Sequence, residues 1–134
     1  MLSVIPINGQ TWLICGGRDF ADQAMFNSAM SDLIHMKGVP SHVVHGDATG
    51  ADTLANEWAY GLCIRTTAMR ADWKQYGKLA GPIRNRKMLD KHKPALVIAF
   101  PGGKGTAHMV SIAREAGVDV AEIVPNAPDA GKAG

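Results

Sequence analysis

Three short glycine-bearing segments hold the residue types that could do chemistry: Gly16-Gly17-Arg18, His45-Gly46-Asp47-Ala48-Thr49-Gly50-Ala51-Asp52, and Pro101-Gly102-Gly103-Lys104-Gly105-Thr106. Each follows an apolar run and precedes a helical pattern. Glycine lets the main chain come close to an anion, and the free N–H groups and dipole of a helix start favour negative charge. Arg18 suits a bidentate clamp on phosphate, and Thr106 can cap its helix, bond phosphate or do both. A lone βα turn often holds glycine for its backbone alone, but three such turns on one edge point to an anion site. None has the spacing G-x-G-x-x-G or G-x-x-x-x-G-K-[ST], so neither NAD binding nor classical ATPase chemistry is implied.

Carboxylates for acid–base work are Asp47, Asp52 and Glu57, with Asp72 on a further loop. Thr49 with Asp52 equally fits a helix N-cap followed by an acid three residues on. Trp73 and Tyr76 are placed to stack a base or to cover the core. His45 and His108 are not spaced as metal pairs, and Cys15 and Cys63 sit in apolar segments. No metal, cofactor or disulfide is therefore expected.

The elements that must position these residues alternate. Strand character appears at Trp12 to Cys15, His42 to Val44, Ile64 to Met69, Ala95 to Phe100 and Val118 to Val124. Between them, Phe26, Ala29, Met30, Leu33 and Ile34 repeat at helix spacing, as do Ala51, Leu54, Ala55, Trp58, Ala59 and Leu62. Further helices are expected from about Lys78 to Lys91 and from about Gly105 to Ala116. The alternation predicts a three-layer, Rossmann-like α/β domain over 1–126, with a parallel sheet of about five strands and a disordered tail at 127–134. A ligand crevice between the first and fourth strands, where both glycine pairs can meet, gives the order 3-2-1-4-5.

Pro101-Gly102-Gly103-Lys104-Gly105-Thr106, with Arg86-Lys87 beginning fifteen residues earlier, resembles the signature of the SLOG superfamily. That superfamily includes the LOG phosphoribohydrolases and the DprA/Smf proteins. Gly16 to Phe20, His45-Gly46 with Gly50-Ala51-Asp52, Asp72-Trp73, Gly81 to Asn85 and Phe100 to Gly103 together resemble its YspA-type, cpYpsA-related branch. The resemblance implies a nucleotide or nucleotide-derived ligand on Gly16, Gly17, Arg18, His45, Gly46, Asp47, Gly50, Asp52, Trp73, Arg86 and Pro101 to Thr106. Arg84 and Arg86 lie two apart, so at most one points inward, and the family spacing favours Arg86. LOG enzymes carry catalytic glutamates after the glycine motif, whereas His108 and Met109 stand here. Binding or sensing is the leading expectation. The alternative is a nucleotide N-glycosidase or phosphoribohydrolase that uses Asp47, Asp52 or Glu57 instead. A third reading, DprA-like binding of single-stranded DNA, draws on Arg84, Arg86, Lys87, Lys91 and Lys93.

A formal charge of +2 on 134 residues is too small to argue for nucleic acid, and 46% hydrophobic residues are ordinary for a globular chain. Met1 to Gln10 has no basic leader region, and no apolar run approaches the roughly 20 residues of a membrane span. A cytoplasmic protein is expected, with no membrane partner. The resemblance implies a homodimer, for which Met88, Leu89 and Val110 look like spare apolar surface.

Overall fold

Trp12, Leu13 and Ile14 are consecutive, apolar and wholly buried, which is possible only for a strand covered on both faces. The computed structural model describes residues 5–125, and it places this strand, β1 (Thr11–Cys15), at the centre of a parallel sheet. β2 (His42–His45) and β4 (Leu96–Ala99) flank it, and β3 (Arg65–Ala68) and β5 (Asp119–Glu122) form the half-exposed edges. The order is β3-β2-β1-β4-β5, with every pairing parallel and Leu13 level with both Val44 and Val97. The expected Rossmann-like architecture and strand order are those observed. The tail expected at 127–134 lies outside the described residues.

Alternation along each strand divides the core. Trp12, Ile14, Val43, Leu96, Ile98 and Phe100 face α1 (Gln23–Lys37) and α2 (Ala51–Gly61). α1 contributes Phe26, Met30 and Leu33, and Phe26 stacks on Phe100 with ring centroids 4.7 Å apart. α2 contributes Ala51, Ala55 and Ala59, whose small side chains let that helix lie close to the sheet. Leu13, Val44 and Val97 face α4 (Ala80–His92) and α5 (Lys104–Glu115), which bring Met88, Leu89, Met109, Ile112 and Ala113. Between β3 and α4 the chain makes a one-turn helix, α3 (Trp73–Tyr76), and a 3-10 turn at Gly77–Leu79.

The apolar surface expected for a dimer is corrected here. Met88, Leu89 and Val110 are buried within this chain, because α4 and α5 pack on each other as well as on the sheet and so bury two flanks each. Among the described residues no helix is long and apolar enough to cross a membrane.

A histidine pair lies near the opposite, N-terminal end of β2. His42 is buried, with Nε2 2.7 Å from the Thr67 hydroxyl, and its ring meets that of His92 edge-on at 5.5 Å. The His92 Nε2 is buried without a partner among the described residues. Burial, then Arg65 and His92, lower the His42 pKa from 6.5; burial, then Lys91 and Arg65, lower that of His92. The fold therefore prefers both rings neutral. Their contribution is intact above 6.5 and is lost as pH falls below that value toward the lowered ones. Thermal melts from about pH 7.5 to about pH 5.5 should show a falling Tm, and His42→Gln should flatten that slope. An equal slope in wild type and variant would assign the acid sensitivity elsewhere.

Candidate functional site

The loops after β1, β2 and β4 are joined through the main chain of Gly17. Its N–H donates to Pro101 O at 2.8 Å, while its carbonyl accepts from Ala51 N–H at 3.1 Å and Phe20 N–H at 3.2 Å. The Thr49 hydroxyl adds a bond to Arg18 O at 3.2 Å. Two glycines make this approach possible. Gly50, at φ +76, has no room for a Cβ beside the carbonyl oxygens of Gly17 and Arg18, and a Cβ on Gly102 would lie 2.6 Å from Gly17 N. Gly50, not Thr49, is the N-cap of α2, and no side chain caps that helix. The capping role expected for Thr49 is thus replaced by its bond to the first loop.

Above these joined loops lies a cavity of about 640 Å³. Of the residues singled out in the sequence, Gly16, Gly17, Arg18, Gly46, Asp52, Trp73, Gly103, Lys104, Gly105 and Thr106 line it. Pro101, Gly102 and Gly50 instead join the loops beneath. His45 is buried and spent on its own loop and on α2: Nδ1 accepts from Asp47 N–H at 3.0 Å, leaving the hydrogen on Nε2 for Asn56 Oδ1 at 2.9 Å. Asp47 turns outward, where Oδ2 takes both Nε and Nη2 of Arg70 at 3.1 and 2.9 Å. Glu57 is exposed on α2, and Asp72 caps α3 through Gln75 N–H. Tyr76 does not line the cavity, whereas Trp73 does, with the Arg18 guanidinium 5.0 Å from its ring centroid.

Asp52 is the one of the three carboxylate candidates that lines the cavity, and it is 6% exposed. Its Oδ2 accepts from Gly46 N–H at 3.2 Å and Ala48 N–H at 3.1 Å, so it folds the second loop back over itself. Burial raises its pKa, against the opposing pull of those N–H groups and of Arg84. Cys15 also lines the cavity, but burial, followed by the Asp52 charge, pushes its thiol up to about 12. It is no nucleophile at neutral pH.

α4 brings a row of lining residues that includes Arg84, which the family spacing ranks below Arg86. Gly81, Arg84, Asn85 and Met88 line the cavity, while Arg86 is exposed and does not. The helical phase carried this signal: Arg84 and Asn85 stand four residues before the buried Met88 and Leu89, on the same stripe. Arg84 donates through Nη1 to Gly46 O at 2.7 Å and Met69 O at 3.3 Å, and through Nε to Asn85 Oδ1 at 3.1 Å. Burial lowers its pKa and Asp52 opposes that, yet a guanidinium stays charged at neutral pH. Asn85 is 5% exposed, and its Nδ2 reaches Gly105 O at 3.1 Å and His108 Nδ1 at 3.2 Å. His108 lines the cavity as well.

The lining is thus cationic, with Arg18, Lys78, Arg84 and Lys104 against the single carboxylate of Asp52. A larger recess of about 820 Å³ between α1 and β5 has the opposite character, with Asp22, Asp32 and Glu122 among apolar residues. Among the described residues no group of three or more His, Cys, Asp or Glu is placed to hold a metal ion.

A model of the YspA, cpYpsA-related SLOG family (YAcAr) matches residues 13–76. The Gene 61 protein of Mycobacterium phage D29 is 36% identical over 115 residues, covering 81% of this chain and 91% of that protein. No solved structure matches the chain.

The joined loops give two glycines opposite expectations. Gly50→Ala should lower the urea midpoint by the equivalent of about 1–3 kcal/mol for its backbone conformation alone. Gly103→Ala should leave the midpoint unchanged, since a Cβ there meets nothing within 4 Å.

Proposed function

The chain belongs to the YspA, cpYpsA-related SLOG family, and from that premise we propose that it binds or senses a nucleotide or nucleotide-derived ligand in the cavity beyond β1, β2 and β4. The observation that carries this reading is the convergence of Arg84 and the first turn of α5 on a space that glycine main chain leaves open. Those first-turn N–H groups have no intrahelical acceptor and are available to phosphate. The base or sugar then lies toward Trp73, which can stack a ring on the face that Arg18 now covers. Binding of this kind needs no catalytic carboxylate. The reading includes a cytoplasmic location and, from the family resemblance alone, a homodimer.

One observation favours a second reading, an N-glycosidase or phosphoribohydrolase. Asp52 lines the cavity with a raised pKa, the property of a general acid that protonates a leaving base. Incubation with nucleoside monophosphates distinguishes the two, since released base abolished by Asp52→Asn would establish turnover. Single-stranded DNA is the weakest reading, because Asp90 interrupts the exposed Arg86, Lys87, Lys91 and Lys93.

A nucleotide at about 100 times its dissociation constant should add roughly 2.7 kcal/mol to stability, visible as a raised Tm. Gly103→Val should abolish most of that rise while leaving the ligand-free Tm near wild type, because its side chain would fill open space at the start of α5. A variant that melts early but binds normally would remove Gly103 from the site.

A further inference from the structure

The hydrogen bonds of Asn85 determine which nitrogen of His108 carries its hydrogen. Arg84 Nε can only donate, so the Asn85 atom facing it is the carbonyl oxygen; Gly105 O can only accept, so the atom facing it is the amide nitrogen. The amide orientation is therefore fixed from both ends. His108 Nδ1 lies 3.2 Å from that same amide nitrogen and must present its lone pair to it. The ring hydrogen is on Nε2, the nitrogen opposite, which has no partner among the described residues on a ring that lines the cavity. The same residue ties Arg84 to the start of α5. Arg84 Nη2 is likewise without a partner among the described residues.

We infer that His108 contacts the ligand as a hydrogen-bond donor through Nε2, held in that tautomer by Asn85 as a positioning residue, and that the group it takes is a phosphoryl oxyanion. The inference rests on the proposed nucleotide site and deepens it. The groups offered there are the Nε2–H of His108, the free Nη2 of Arg84 and the first-turn N–H groups of α5, all of them donors and one of them a cation. Asn85 turns its acceptor oxygen to Arg84, and the Oδ2 of Asp52, the one carboxylate in the lining, is taken by two main-chain N–H groups, so these donors call for a ligand that brings acceptors, several of them and negatively charged. A phosphoryl group meets that demand.

The test uses the full chain labelled with ¹⁵N-histidine, and titrates it with AMP, adenosine and inorganic pyrophosphate. At alkaline pH the His108 nitrogens should show the Nε2–H tautomer, and Asn85→Asp, whose carboxylate accepts rather than donates, should move them toward Nδ1–H. AMP and pyrophosphate should shift the His108 Nε2 signal, and adenosine should not. His108→Gln, which keeps a donor near the same place, should retain most AMP affinity, whereas His108→Leu should lose about tenfold or more. These two variants decide the matter even where Asn85→Asp fails to fold. A wild-type Nδ1–H tautomer, or a His108 signal unmoved while the amides of Lys104 to Thr106 respond, would overturn the inference. A response to pyrophosphate without any to AMP would leave it standing and overturn the nucleotide reading; silence toward all three probes would overturn both.

Discussion

Gly17 passes its main chain between the loop after β4 and the start of α2, and the cavity takes its form from that passage. The N–H side is held by Pro101 O and the carbonyl side by Ala51 N–H, so one residue joins three strand ends. Main-chain polar groups this close together must be paired, and pairing them requires that no side chain intervene. Gly50 and Gly102 meet that requirement from the two neighbouring loops. Gly103 and Gly105, by contrast, face open space. The glycines of these motifs therefore divide into those that hold the loops together and those that leave room above them.

α4 supplies the other half of the arrangement. Its Arg84 binds carbonyls of the loops after β2 and β3, and its Asn85 binds the start of α5. A cation that is largely enclosed needs such partners, because losing water without replacement is costly. With Nη1 and Nε committed, the guanidinium cannot swing, and its free edge is presented in a fixed direction. Asp52 balances that charge from the β2 side without closing the cavity, since its Oδ2 is occupied by two backbone N–H groups.

Much of this was legible in the sequence because it follows from period and chirality. Strands alternating with helices, right-handed crossovers and glycine loops at one edge led to the observed strand order. The choice between Arg84 and Arg86 was legible too, through the stripe that ends in Met88 and Leu89, although spacing within the motif favours the other residue. Other features depend on contacts between distant segments. Thr49 has the type and position of an N-cap, yet its hydroxyl goes to Arg18 O because the first loop comes within reach. Met88, Leu89 and Val110 look like surplus apolar surface only until α4 and α5 are seen to pack together. Asp47 and Glu57 are carboxylates near glycines in the chain, but one turns to Arg70 and the other to solvent.

Amide hydrogen exchange with and without a nucleoside monophosphate reads whether the three loops act as one binding surface. Gly16 to Arg18, Gly46 to Ala48 and Lys104 to Thr106 should gain protection together, at one ligand concentration dependence, while the acidic recess between α1 and β5 stays unchanged. Protection confined to a single loop, or appearing between α1 and β5 instead, would contradict that joint surface.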